Sequence, residues 1–146
     1  MRHRIRAGRI SIMALGLTGL LMAASSPASA NAMLVGQVIN SSSWGMHITY
    51  SLGQGADRCD VWNYSGGTTP DWVYAPCKQV SLPAHSTSDY SKDADAFTFN
   101  NDDYMLNFKG TQSWRTKGVW TKINSWQAAK CTVHADFGVP YCVVTG

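Results

Sequence analysis

Four cysteines restrict the folds open to this chain more than any other feature. They stand at Cys59, Cys77, Cys131 and Cys142. In an exported chain an even number of cysteines indicates disulfides, and four cysteines allow three pairings. We predict the pairs Cys59–Cys77 and Cys131–Cys142, because short loops close at the lowest entropic cost. A zinc site is disfavoured, because the chain has no C-x-x-C pair and no histidine at a ligand-like offset from a cysteine pair.

The first 30 residues have the pattern of a secretory signal peptide. Four arginines and no acid are followed by a mostly apolar run, Ile10 to Ala24. The segment ends in Ala28-Ser29-Ala30, the small-residue pattern that a signal peptidase requires. The apolar run is shorter than the roughly 20 residues of a membrane-spanning helix. We therefore expect residues 1–30 to be removed, and residues 31–146 to form a single secreted, extracellular domain without a membrane span.

The predicted signal peptide, or leader, also accounts for the positive charge of the chain. The whole sequence contains 12 basic and 9 acidic side chains, and every acid is an aspartate. Without the four arginines of the leader, eight basic residues stand against nine aspartates, so the net charge of residues 31–146 is −1. Because a nucleic-acid-binding domain normally carries a basic surface, we expect no nucleic-acid partner.

Alternation of apolar and polar residues predicts β-strands. In Trp44–Leu52 every second residue is apolar, which is typical of a half-buried strand. Met33–Asn40 precedes it across a polar turn, so we expect these two strands to form a hairpin. Further strands are predicted at Lys78–Leu82, Ala96–Phe99, Tyr104–Phe108, Val119–Ile123, Cys131–Ala135 and Tyr141–Thr145.

Turn-forming residues separate these strands, for example at Lys109–Ser113. Short strands at this spacing are typical of an all-β domain, so we predict a small antiparallel β-sandwich or barrel with two disulfides. Ser125–Lys130 is the only candidate for a helical turn. The large apolar residues that we expect in the core are Trp44, Phe99, Leu106, Phe108 and Trp120.

The segment between Cys59 and Cys77 contains the main candidate binding residues. Four aromatic residues flank its central pair of glycines: Trp62, Tyr64, Trp72 and Tyr74. A loop anchored by a disulfide loses less entropy on binding, and Trp and Tyr are common interface anchors. The alternative is a plain hairpin whose aromatic side chains pair across the strands and pack on the sheet.

Five aspartates form an acidic cluster: Asp89, Asp93, Asp95, Asp102 and Asp103. Aspartate favours turns, so solvated turns are the first interpretation and a weak calcium site is the alternative. The EF-hand pattern fails, because Thr98 occupies the position at which a loop beginning at Asp93 would need glycine. We therefore assign no metal site and no cofactor.

No catalytic set can be assigned from the sequence. The histidines of residues 31–146, His47, His85 and His134, are scattered, and no serine lies in a G-x-S-x-G motif. Because the chain lacks glutamate, a glycosidase would need a pair of aspartates, and no such pair stands out. We predict that the protein is not an enzyme.

These features predict a secreted domain that binds another extracellular protein, including as a subunit of an exported, toxin-like complex. One alternative is a secreted protease inhibitor, with its reactive loop within Tyr64–Pro76 or Phe137–Tyr141. A second alternative is a carbohydrate-binding module, in which Trp62, Tyr64, Trp72 or Tyr74 would stack on sugar rings.

Overall fold

Twelve β-strands make up the regular structure of residues 35–146, the part of the chain that the computed structural model describes. The predicted signal peptide, residues 1–30, lies outside this part. The strands are β1 (Gln37–Asn40), β2 (Met46–Thr49), β3 (Asp57–Val61), β4 (Val73–Cys77), β5 (Val80–Leu82), β6 (Ser86–Thr87), β7 (Ala96–Thr98), β8 (Tyr104–Phe108), β9 (Thr111–Arg115), β10 (Val119–Lys122), β11 (Ala128–Val133) and β12 (Pro140–Thr145).

The strands form two six-stranded sheets that pack together. The order is β6-β1-β11-β12-β8-β9 in the first sheet and β4-β3-β10-β7-β2-β5 in the second. The pairs β1–β11, β12–β8 and β10–β3 are parallel, so both sheets are mixed rather than wholly antiparallel. The predicted all-β, sandwich-like class is confirmed.

The predicted hairpin between Met33–Asn40 and Trp44–Leu52 is wrong. β1 pairs with β11 and β6 in the first sheet, whereas β2 pairs with β5 and β7 in the second. The turn between them is held by the buried Asn40, whose amide donates to the carbonyl oxygens of Trp44 (2.7 Å) and Pro83 (3.0 Å). Val38 of β1 and Met46 and Ile48 of β2 belong to the same core cluster, so the two strands contribute to one core from different sheets instead of lying side by side.

The predicted helical turn at Ser125–Lys130 is also wrong. Ser125 and Trp126 form a turn, and β11 begins at Ala128. Ala129 is fully buried and pairs with Val144 of β12. Alanine has a high intrinsic helix propensity, but here the tertiary environment outweighs it.

The turn predicted at Lys109–Ser113 is shorter than expected. Only Lys109 and Gly110 connect β8 to β9, with φ angles of 50° and 86°. Positive φ at both central residues is the geometry of a two-residue hairpin turn whose twist matches that of the flanking strands. The following residues, Thr111–Arg115, therefore form strand β9 at the edge of the first sheet.

Most of the predicted core residues lie in the core. Phe99, Leu106, Phe108 and Trp120 are at most 1% exposed, whereas Trp44 is half-buried and packs against the main core cluster. One buried polar network crosses between the sheets through Thr121 of β10. Its hydroxyl oxygen lies 3.0 Å from the hydroxyl of Tyr104 in the first sheet, and it also accepts a hydrogen bond from the indole of Trp62, which directly follows β3. Because these buried polar atoms are paired within the core, the network fixes how the two sheets meet.

Both predicted disulfides are present. Cys131–Cys142 joins two directly paired residues of β11 and β12, and Cys59–Cys77 joins β3 to β4. All four cysteines are fully buried. Between residues 35 and 146 we find no helix that is long and apolar enough to cross a membrane. Two disulfides and no helical span in this region are consistent with an extracellular protein.

Candidate functional site

The structure places one of the four predicted binding residues, Trp62, in the core. Its side chain is 2% exposed, and its indole N–H donates to the hydroxyl of Thr121 (3.0 Å). Its ring packs edge-on against Phe108, with the ring centroids 6.0 Å apart. A partner that binds at the surface cannot contact a side chain with this little exposure.

The other three predicted binding residues reach the surface to different degrees. Tyr64 is half-buried against the smaller core cluster, and the Lys122 ammonium lies 5.1 Å from the centroid of its ring. Trp72 and Tyr74 are 57% and 67% exposed. Tyr74 lies in the edge strand β4, and Trp72 directly precedes that strand. Because residues two apart on an extended backbone point to the same side, both side chains project from the same side of the sheet. We call Trp72 and Tyr74 the hairpin patch.

The loop before the hairpin patch is held by hydrogen bonds. The buried Asn63 amide donates to the carbonyl oxygen of Lys122 (3.1 Å) and accepts from its N–H (2.8 Å). Gly66 has a φ of +78°, and a Cβ at this position would approach the Asn124 side-chain oxygen to 2.8 Å. The N–H of Ser65 donates to the Asp71 carboxylate (2.7 Å). These contacts fix the loop before any partner binds.

A second group of aromatic side chains lies on the outer face of the first sheet. Strand β9 alternates, so Trp114 points outward while Ser113 and Arg115 point toward the second sheet. The pairing register places outward-facing residues of four adjacent strands in one row: Thr132, Tyr141, Met105 and Trp114. Met105 is only 7% exposed in this row, although it faces away from the core.

The turn between β11 and β12 adds two more rings to this row. The N–H of His134 donates to the carbonyl oxygen of Val139 (2.8 Å), and that of Gly138 donates back to His134 (2.9 Å). The closed turn brings the His134 ring to 4.8 Å from Phe137 and 5.1 Å from Tyr141, measured between centroids. Phe137 in turn lies 5.7 Å from Trp114.

We call Trp114, His134, Phe137 and Tyr141 the aromatic platform. Trp114 and Phe137 are 51% and 57% exposed, although they touch each other. Hydrogen bonds from Asn107 and Gln112 to the Tyr141 hydroxyl (both 3.4 Å) help to hold that ring. The sequence does not predict the platform as a unit, because the turn predicted at Lys109–Ser113 covers the first half of β9. The alternation of Gln112 and Trp114 with their neighbours is the signal that could have identified it.

Four of the five aspartates of the acidic cluster accept hydrogen bonds from different partners. Asp89 accepts from Ser91 and pairs with Lys92 (3.3 Å), and Asp93 accepts from Gly36 and Ser125. Asp103 accepts from the N–H of Lys117 (2.9 Å) and borders an open cleft of about 310 Å³. In the described range, 35–146, no three His, Cys or Asp side chains are arranged to hold a metal ion.

Replacing Asp95 by asparagine is expected to stabilise the protein at neutral pH. Burial raises the pKa of the Asp95 carboxyl above its usual 3.8, the N–H of Leu52 opposes this shift, and the charge of Asp93 adds to it. As the pH rises through 3.8 the unfolded chain loses this proton first, so the ionised carboxylate lowers stability. Asparagine keeps an oxygen for the Leu52 N–H, which lies 2.8 Å from the carboxylate, and carries no charge.

Thermal unfolding of wild type and Asp95→Asn at pH 7 and well below pH 3.8 measures this effect. The stabilisation by Asp95→Asn should be present at pH 7. It should shrink at low pH, where the wild-type carboxyl is protonated in both the folded and the unfolded state. Asp89→Asn is the matched control, because hydrogen bonds from Ser91 lower the pKa of this exposed carboxyl. It should therefore lose stability at pH 7. The difference in stability between Asp95→Asn and wild type is compared at the two pH values. If Asp95→Asn stabilises the protein less at pH 7 than at low pH, the raised pKa of Asp95 is contradicted.

The three histidines of the described chain lie on different elements. His47 is in β2 of the second sheet and is half-buried. His85 is exposed, in the connection between β5 and β6. His134 belongs to the aromatic platform, where its Nδ1 accepts from the N–H of Asp136 (3.3 Å).

Comparison of the chain with protein-family models, curated proteins and solved structures found no match.

Proposed function

We propose that this chain is an exported, non-enzymatic domain that binds another extracellular protein through the aromatic platform. The observation that carries the proposal is the contact between Trp114 and Phe137, which are both more than half exposed. Single exposed apolar residues are common on soluble proteins, whereas contiguous exposed apolar side chains mark interaction sites.

The composition of the platform supports a protein partner. Aromatic residues are enriched in protein interfaces, and Trp and Tyr supply much of the binding energy at the centre of such interfaces. One row of sheet positions beside the platform is occupied by Lys130, Val143, Asn107 and Gln112, and the exposed Asp136 lies in the turn between His134 and Phe137. An apolar centre with a polar border is the usual anatomy of a protein interface.

The rigidity of the platform also supports binding. Trp114 of β9 and Tyr141 of β12 stand on strands that both pair with β8, and the Cys131–Cys142 disulfide joins the two strands that carry the turn with His134 and Phe137. A surface that is ordered before binding loses less conformational entropy when a partner docks. Export is supported by the pattern of residues 1–30 and by the two disulfides. An exported chain of this kind fits a subunit of a larger secreted or toxin-like complex.

The double variant Trp114→Ala, Phe137→Ala is expected to weaken partner binding at least about 30-fold, the equivalent of about 2 kcal/mol. Both side chains are exposed, so thermal unfolding should change little. Immobilised protein should retain a partner from culture supernatant, and a binding titration with the purified partner then measures the loss.

The variant Trp126→Ala is the control, because Trp126 is 58% exposed but lies outside the platform. It should bind like wild type. The proposal fails if wild type stays monomeric and retains no protein, or if the platform variant binds as tightly as wild type.

A glycan array probed with wild type and Trp72→Ala tests the carbohydrate-binding alternative, for which the exposed hairpin patch offers two rings on one side of a strand. Binding there that Trp72→Ala abolishes would favour that alternative.

A further inference from the structure

The inner side of strand β9 is polar, although it lies beside core-filling residues of β8. Thr111, Ser113 and Arg115 pair with Phe108, Leu106 and Tyr104, whose side chains fill the core. Alternation therefore points the three polar side chains toward the interior of the sandwich. Because β9 is the edge strand of its sheet, the packing between the two sheets ends at these residues.

A cleft of about 220 Å³ opens at this edge. Strand β9 forms one side, and Thr68 and Pro70 of the loop before the hairpin patch form the other. Trp62 and Phe108 supply apolar surface, whereas Ser113 and Arg115 supply polar groups. Ligand pockets usually measure about 300–1,000 Å³, so this cleft suits one small group rather than an extended ligand.

Arg115 brings a positive charge to the cleft. Its guanidinium carbon lies 3.7 Å from the centroid of the Trp62 ring, within the range of a cation–π interaction. Its Nη1 donates to the carbonyl oxygen of Trp114 (3.0 Å), and its buried Nε has no acceptor. Burial lowers the pKa of this guanidinium, which means that the surroundings compensate its charge poorly.

No carboxylate neutralises Arg115 within residues 35–146, where the one ion pair joins Lys92 to Asp89. A guanidinium pairs well with a planar carboxylate, through two parallel N–H···O hydrogen bonds. The cleft therefore combines one partly buried cation, neighbouring hydroxyl groups and an aromatic wall.

We propose that this cleft binds a small organic carboxylate, held by the Arg115 guanidinium and the Ser113 hydroxyl. A single cation matches the charge of a monoanion, and the volume admits an acidic group of one sugar ring or one amino-acid residue. The site is distinct from the aromatic platform, because Trp114 and Arg115 project from opposite faces of β9. It does not depend on a protein partner.

Nuclear magnetic resonance titration of the intact ¹⁵N-labelled domain tests the proposal. The probes are glucuronate and N-acetylglycine, which represent a sugar acid and a peptide carboxylate. Each is paired with its uncharged amide, glucuronamide and N-acetylglycinamide. We expect saturable shifts of the Trp62 indole N–H signal with the carboxylates, and binding about tenfold or more weaker with the amides. The tighter of the two carboxylates shows whether the cleft prefers a sugar acid or a peptide carboxylate.

The two arginines of the described chain provide a matched pair of variants. Arg115→Gln should weaken carboxylate binding about tenfold or more, whereas Arg58→Gln, at an exposed position of β3, should bind like wild type. Arg115→Lys keeps the charge but loses the planar fork, so its affinity should lie between those of wild type and Arg115→Gln. Thermal unfolding verifies that each variant is folded. The proposal is overturned if the carboxylates cause no saturable shift, if the amides bind equally well, or if folded Arg115→Lys and Arg115→Gln both bind like wild type.

Discussion

Replacing all four cysteines by alanine is expected to lower the free energy of unfolding by about 6 kcal/mol. The two disulfides close loops with sequence separations of 18 and 11 residues. For loops of this size the chain-entropy model gives about 3 kcal/mol each. Domains of this size are typically stable by about 5–15 kcal/mol, so this loss removes a large part of the total. The melting temperature should fall by about 20 °C or more.

Urea unfolding of the two paired variants, Cys59→Ala with Cys77→Ala and Cys131→Ala with Cys142→Ala, separates the contributions. Variants are preferable to a reducing agent, because all four cysteines are fully buried and reduction would require prior opening of the fold. The Cys59–Cys77 pair closes the longer loop and should have the slightly larger effect. If both paired variants unfold within about 1 kcal/mol of wild type, the domain does not depend on its crosslinks.

Trp62→Ala is expected to lower the free energy of unfolding by about 3–5 kcal/mol, and Trp72→Ala to change it by less than about 0.5 kcal/mol. Trp62 is almost fully buried, so truncation leaves a cavity and removes the donor to Thr121. Trp72 is more than half exposed and loses little on truncation. Chemical unfolding of the two variants provides the comparison.

Trp62→Phe serves as an intermediate variant. It keeps an aromatic ring in the core but removes the indole N–H that donates to Thr121, so its loss should be smaller than that of Trp62→Ala. Equal destabilisation by Trp62→Ala and Trp72→Ala would contradict the division of the predicted binding residues into core and surface.

Local patterns predicted much of the fold correctly. Strict alternation identified the strands at Tyr104–Phe108 and Val119–Ile123, which the structure shows as β8 and β10. The cysteine spacing favoured the correct pairing, because each disulfide joins adjacent strands of one hairpin. Both signals depend on residues that are close in the sequence.

Other features depended on contacts between distant segments. The parallel pairs β1–β11 and β12–β8 join strands whose sequence positions reveal nothing about their pairing. The turn predicted at Lys109–Ser113 covers the first three residues of β9, which are polar, whereas the positive φ angles of Lys109 and Gly110 confine the turn to two residues. That missed strand carries both Trp114 of the platform and Arg115 of the cleft.

The sequence alone determined the all-β class, the two disulfides and most of the strands, because alternation and short loops are local properties. Only the tertiary structure decided which aromatic residues are exposed. Trp62 and Trp72 lie between the same two cysteines, yet one is buried against Phe108 and the other is at the surface. Alternation assigns residues to opposite faces of a strand, but which face is covered depends on the sheet that packs against it.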